Sequence, residues 1–277
     1  MQKLEDRTLA IQETYNARPR NWWIYTLVLM IVAIIVGWSA NGIDFNGVSE
    51  KGSQVAKGIF IGLVTPDTSI LFSLDNTAVP FLILETMAIG FLGTIIGAIL
   101  AIPFSFLASE NVVPKPVAFV VRGIVLLIRT VPSLVWALVW IRVTGPGAMC
   151  GVLTQGICSI GMMCKMFVNA IEDIDTRILE SLDAAGCTTF QKIRHGILPQ
   201  LTANFISTII YRFDLNIKDA TTLGIVGAGG IGAPLLQCIK TSRWSMVGSY
   251  MIGLIIMMLI IEYFSTKIRS KLTGGQR

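Results

Sequence analysis

Charge is scarce in this chain. Only 14% of its 277 residues are Asp, Glu, Lys or Arg, and 53% are hydrophobic, where an ordinary soluble domain has about 25% charged and roughly 45–50% apolar residues. So low a charged share argues against a soluble enzyme. Histidine is nearly missing: His195 is the only one, and without a Ser or Cys nucleophile arrangement around it, it reads as a surface residue. The five cysteines, Cys150, Cys158, Cys164, Cys187 and Cys238, form no CxxC pair. They read as buried thiols, not as metal ligands or a disulfide framework. No G-x-x-x-x-G-K-[ST] loop occurs, so the chain is not expected to bind or hydrolyse ATP itself. Neither a catalytic set, a metal nor a cofactor is expected, and no internal repeat is visible.

What the sequence does contain is long apolar runs. A helix rises 1.5 Å per residue, so about 20 apolar residues cross about 30 Å of hydrocarbon. Six stretches qualify: Trp22–Ala40, Phe81–Ala108, Val117–Ile141, Ala148–Ile171, Leu201–Leu223 and Met246–Phe264. Arg212, Asp214, Lys218 and Asp219 interrupt the fifth. The first exceeds the roughly 7–15 residues of a signal-peptide core and follows a polar segment, so it reads as a retained helix. This predicts an all-α membrane protein with about six transmembrane helices. Its parts are a cytoplasmic segment 1–21, a transmembrane region 22–264 and a basic cytoplasmic tail 265–277.

Of the 22 Lys and Arg, twelve lie in segments on the side of the N-terminus, five on the opposite side and five within spans. That bias places both termini in the cytoplasm, with Glu172–Gln200 inside and Asn41–Pro80 and Gly224–Ser245 outside. The net charge of +5 follows from this loop bias and is not a nucleic-acid footprint. Six helices make a thin bundle, which favours a pathway between two copies of the chain.

Three local features stand out. Within the cytoplasmic segment, Glu180-Ser-Leu-Asp-Ala-Ala-Gly186 is followed by Leu198-Pro199. Asp173 or Asp175 can cap one short helix that Gly186 ends, and Thr188 or Thr189 a second, before Pro199 opens the next span. Such an element is either a docking site or an ordinary amphipathic loop. Gly227-Ala-Gly-Gly-Ile-Gly232 satisfies G-x-G-x-x-G, yet a dinucleotide site needs a βαβ unit and an acid about 20 residues on, and neither is present. It reads as tightly turned backbone at the end of a span. Lastly, in-span cations Arg122, Arg129, Lys165, Arg212 and Lys218 outnumber Glu85, Asp214 and Asp219 by two. Arg122 and Arg129 share a helix face, Asp214 and Lys218 can pair, and Pro132 is placed to open its helix. Intramembrane charges of this kind mark either a pathway or structural ion pairs.

The Glu180–Pro199 stretch resembles the EAA loop of binding-protein-dependent ABC importer permeases. Glu180, Gly186, Leu198 and Pro199 match its pattern, whereas Ser181-Leu182 stand where two alanines are usual and Gly196 where an isoleucine is usual. Arg129–Leu138, Tyr211–Thr221 and Val226–Gly232 are similar to the phosphonate-type permease subunit, and the resemblance spans Thr86 to Phe264. It implies a type I-like permease bundle in the cytoplasmic (inner) membrane. It further implies ATPase coupling through loop 172–200 by Glu180, Asp183, Ala184, Gly186, Leu198 and Pro199. A translocation pathway would include Arg129, Thr130, Pro132, Ser133, Arg212, Asp214 and Asn216, and a gate would include Gly227, Gly229, Gly230 and Gly232. The implied partners are two ABC ATPase subunits, an extracellular or periplasmic substrate-binding protein, a second copy of the chain and membrane lipid, with no nucleic acid.

The substrate would be a phosphonate or related phosphorus oxyanion. Phosphate, phosphite and methionine stay open as alternatives, and the cation surplus disfavours a quaternary amine. Two other classes also stay open: a lipid-modifying enzyme using His195 and the glycine segment, and a transporter that needs no ATPase. The enzyme would require those two features on one face of the membrane, where the charge bias places them on opposite faces.

Overall fold

The computed structural model describes residues 15, 22–42, 50–73 and 75–274, and among these every regular element is helical. The chain divides into two compact units at Gln54 and Val55. In the first, α1 (Trp22–Asn41) is apolar all round, and the side chains described along it are exposed. A helix with no polar face and no protein cover of this kind is suited to lipid.

The second unit is a bundle of helices, the first of which begins five residues before the boundary, at Glu50. Its elements are α2 (Glu50–Val64), α3 (Thr68–Phe72), α4 (Val79–Ala108), α5 (Lys115–Thr130), α6 (Ser133–Thr144), α7 (Ala148–Glu172), α8 (Thr176–Ala184), α9 (Thr189–Gln191), a π-helical turn (Lys192–Ile197), α10 (Leu198–Ile225), α11 (Gly232–Lys240) and α12 (Trp244–Gly274). α4, α7 and α10 form the centre, with α5 and α6 on α7 and α12 on α10.

Small residues decide how closely the central helices approach. A Cβ on Gly93 would lie 3.3 Å from the Val152 carbonyl oxygen, and one on Gly97 would run into Ser159 and come within 3.0 Å of the Gly156 carbonyl. Gly90 faces Ile217 of α10 in the same way. Backbones at this separation gain dispersion contacts that lipid cannot supply. Beyond the glycine seam, Ala101, Met163, Phe167, Ile171, Ile197 and Phe205 close a core cluster, in which the Phe167 and Phe205 rings stack at 4.2 Å.

Three expectations change. The third span, Val117–Ile141, is two helices bent by 85°. Val131 is extended (φ −87°, ψ 121°), as the residue before a proline tends to be, and Pro132 cannot continue the hydrogen-bond ladder. With 16 residues, α5 reaches only about 24 Å. The stretch 41–80, read as a polar loop, contains α2 and α3. Gly58 and Gly62 let α2 lie against Trp244, and Gly248 faces Gly62 in return. Ser249 and Tyr250 of α12 donate to the Asp67 and Thr77 carbonyls at 3.0 and 2.9 Å, fastening the chain around α3. The tail 265–277 is helical through Gly274, because α12 runs on from the last span.

Replacing Gly97 by Leu is expected to destabilise the bundle by about 1–3 kcal/mol, the usual cost of overpacking. Gly123→Ala is the control, since nothing lies within 4 Å of its Cβ position. Thermal unfolding of the detergent-solubilised protein reads both. Melting temperatures equal to wild type for both variants would remove the glycine seam as the determinant of packing.

Candidate functional site

α7 organises the polar residues. Arg129 of α5 lays its aliphatic stem over Gly161, where a Cβ would collide with it. From the α10 side, Arg212 donates to Ser159 Oγ at 3.0 Å and contacts Met162 Sδ at 3.2 Å. Asn216 donates to Thr94 Oγ1 and Ser159 Oγ, both at 2.8 Å, and Gln155 donates to the Asn216 carbonyl at 3.1 Å. Thr94, Gln155, Ser159, Arg212 and Asn216 are all buried. The side-chain donors of Gln155, Arg212 and Asn216 thus find acceptors within this group where water is scarce, while Gln155 Oε1 and Asn216 Oδ1 are buried without a donor among the described residues.

The seven expected pathway residues therefore form three groups. Arg129, Thr130, Pro132 and Ser133 sit at the bend, with the Thr130 hydroxyl donating back to the Leu127 carbonyl at 2.8 Å. Arg212 and Asn216 belong to the buried network. Asp214 turns towards α12: Lys218 Nζ lies 2.9 Å from both Asp214 Oδ2 and Glu262 Oε2. Glu262 belongs in the in-span charge count and lowers the cation surplus from two to one.

A cavity of about 330 Å³ opens between α5 and α7, with Arg122, Arg129, Lys165, Asn169 and Glu172 among its lining residues. Arg122 is fully engaged at one end of it. It donates to the Ala108 carbonyl at 2.7 Å, to Glu110 Oε1 at 3.1 Å and to Glu172 Oε1. The Glu110 N–H also donates to Glu172 Oε1, at 2.9 Å. Arg122 is thus an ion-pair residue tying the α4–α5 turn to the end of α7. Lys165 and Asn169 are cavity residues missing from the expected site. Their signal was the i, i+4, i+8 spacing of Gly161, Lys165 and Asn169 on one helix face.

The glycine segment lies at the other end of α7. Gly227, Gly229 and Gly230 have φ of +95°, +82° and +73°, where a side chain is strained, while Gly232 begins α11 and has the Thr221 carbonyl where a Cβ would sit. The Gly147 N–H donates to the Gly227 carbonyl at 2.9 Å, and the Ile231 N–H to Thr86 Oγ1 at 3.0 Å. The segment is packed turn structure, with Ala228 and Ile231 buried. His195, exposed in the π-helical turn, follows the opposite end of this 25-residue helix, whose ends are about 37 Å apart. The two features do not meet in one site.

The loop between α7 and α10 folds as its capping residues direct. Asp175 caps α8, and hydrogen bonds from the Arg177 side chain and backbone hold its carboxyl below its ordinary value of 3.8. That cap is therefore complete above this value and is lost as the pH falls through the depressed one. Gly186 ends the turn at φ +74°, with its N–H donating to Asp183 and the Cys187 N–H to Leu182. Thr188 and Gln191 form a capping box, and Pro199 lies in the first turn of α10. Lys192 Nζ pairs with Asp183 Oδ1 at 2.6 Å across the two arms. Leu182 and Gly196, two departures from the family pattern, face each other: a Cβ on Gly196 would lie 2.6 Å from Leu182 Cδ1. The larger residue on one arm fills the space left by the smaller on the other. Glu180, Asp183, Ala184 and Gly186 are exposed. Beside them stands Phe190, 70% exposed, an aromatic side chain that its lack of a helical pattern hid in the sequence. Among the described residues no group of three or more His, Cys, Asp or Glu is placed to hold a metal.

Residues 93–268 match the family of binding-protein-dependent transport system inner membrane components. The chain is 34% identical over 188 residues to the phosphite transport system permease protein PtxC of Stutzerimonas stutzeri, covering 68% of each chain. It is 35% identical over 216 residues to the phosphate-import permease protein PhnE of Mycolicibacterium smegmatis, covering 78% of this chain and 40% of that protein. In fold it is similar to an inward-facing MetNI methionine ABC transporter chain, with a TM-score of 0.61 and 22% identity over 69% of this chain and 94% of that one. The match over most of the helical bundle and the relatives of similar sequence lead to one conclusion: the chain belongs to the binding-protein-dependent transport system inner membrane components, as a multi-pass, non-enzymatic permease subunit of an ABC importer.

Proposed function

We propose that this permease moves phosphonates or related phosphorus oxyanions inward across the cytoplasmic membrane. It works as a pair of identical subunits with both termini in the cytoplasm, two ATPase subunits on its inner face and a binding protein outside. The observation that carries the substrate class is the pair of relatives at 34% and 35% identity, one named for phosphite and the other for phosphate. The cavity between α5 and α7 supports it, with three cations against one carboxylate and no aromatic side chain in its lining. A quaternary amine would call for an aromatic cage instead.

In this reading Arg129, Thr130, Pro132 and Ser133 line the pathway at the bend. Arg212, Asp214 and Asn216, each engaged by another side chain, shape it from behind. Gly227, Gly229, Gly230 and Gly232 form the gate at the far end of α7. The ATPase grips the exposed face of Glu180, Asp183, Ala184, Gly186 and Phe190, while Leu198 and Pro199 pass its movement into α10. ATP binding then selects between two arrangements of the bundle because each presents this loop differently.

Uptake of aminoethylphosphonate by phosphorus-starved cells with and without the gene tests the substrate. Gene-dependent uptake that survives excess phosphate is expected of a phosphonate-preferring importer, and strong competition of one with a broader range. If the gene adds no uptake of aminoethylphosphonate, phosphite or phosphate, the proposed substrate class is wrong. Coupling is tested at Gly186, where a Cβ meets nothing within 4 Å and the cost is backbone strain alone, about 1–2 kcal/mol. Gly186→Asp and Gly186→Val are expected to reduce transport-linked ATP hydrolysis several-fold while the melting temperature falls by only a few degrees, and Gly186→Asn to retain more. Wild-type hydrolysis in all three would sink the coupling role. Gly196→Ile alone is expected to impair the same hydrolysis and Leu182→Ala to restore it in the double variant, and strictly additive losses would refute their complementarity.

A further inference from the structure

The cavity between α5 and α7 contains two cations that no described acidic residue pairs with. Arg122 is consumed by Glu110, Glu172 and the Ala108 carbonyl, and the one carboxylate of the lining, Glu172, is consumed by Arg122. Among the described residues Arg129 and Lys165 have no acidic partner within 4.0 Å, yet both line the same space. Two unpaired cations facing one cavity in a chain with so little charge repel each other, a cost that an anion between them removes.

The seating of these groups is specific. Gly161 gives Arg129 its place on α7, since any Cβ there would displace the arginine stem. Lys165 follows one turn along and Asn169 one turn further, each about 6 Å on. The three stand on one face of α7, and Lys165 and Asn169 are exposed towards the cavity. Arginine offers a planar fork of donors, lysine a compact charge and asparagine an amide N–H, a set suited to a tetrahedral oxyanion.

We infer that this cavity is a binding site for a phosphorus oxyanion, held jointly by Arg129 and Lys165 with Asn169 as donor. Arg122 is the positioning residue that keeps the Glu172 carboxylate from competing. The oxyanion is either the free transported anion, in which case the site rests on the proposed substrate, or a phospholipid headgroup reached from the membrane.

The test uses the permease–ATPase complex in dodecyl maltoside, stripped of loosely held lipid, with ADP present to occupy the ATPase sites. Binding of radiolabelled aminoethylphosphonate is measured by equilibrium dialysis, and phosphorus retained per complex by elemental analysis. For the free anion, Arg129→Gln and Lys165→Gln are each expected to weaken binding about tenfold, the loss of one charge-assisted hydrogen bond. Lys165→Arg should stay within about threefold and Lys240→Gln should be unchanged. Gly161→Ala, which keeps every charge, should weaken binding by moving Arg129. For the headgroup, the wild type retains phosphorus that both glutamine variants lose, and aminoethylphosphonate binding is the same in all. If neither quantity differs between wild type and the glutamine variants, the site does not exist. Import by the wild type is read separately, so an importer of phosphorus anions whose cavity binds none overturns this inference alone.

Discussion

The close approach of α4 to α7 is the constraint on which the rest of the bundle depends. Glycines at 93 and 97 bring the helices near enough for Gln155 and Ser159 to face α4 directly, and Gly90 admits Ile217 of α10 beside them. At that distance Asn216 reaches both Thr94 of α4 and Ser159 of α7, and Arg212 joins it on the same serine hydroxyl. In lipid, where apolar surface has little to gain by leaving its solvent, packing and hydrogen bonding of this kind hold helices together. The buried polar network is thus a consequence of the glycine seam.

The same helix separates two kinds of structure. At its first residues α7 meets the glycine segment, whose backbone is turned and packed so closely that Ala148 and Thr86 occupy the space a side chain would need. At its last residues Arg122, Glu110 and Glu172 join the α4–α5 turn to α7, just before Asp175 starts α8. Between these ends, Arg129 and Arg212 rest on α7 from two sides. Arg122 thus ties the end of α7 to the middle of α5, the helix that carries Arg129 and ends at the bend before Pro132.

Local signals were legible where they depended on neighbouring residues. The caps at Asp175 and Thr188, the break at Gly186, the interruption at Pro132 and the Lys218–Asp214 pair all concern groups a few positions apart. The elements that escaped depend on distant partners. α2 looks polar until Trp244 is set against Gly58 and Gly62. Glu262 joins Lys218 across 44 positions. Leu182 and Gly196 looked like two unrelated departures from a pattern, and their meaning lies in their contact.

By itself the sequence determined the membrane setting, the helical class, the loop that resembles a coupling element and the family, because composition, hydrophobic run length and short motifs are properties of the chain order alone. The tertiary structure decided which of the few charges answer one another and which do not. Arg122, Arg129 and Lys165 are all cations within apolar runs, and no local rule separates them. Arg122 is neutralised because the fold places Glu110 and Glu172 around it, whereas Arg129 and Lys165 are left facing a shared cavity. Pairing energies fall off within a few ångströms, and in this bundle those distances are set by the packing of small residues far from the charges themselves.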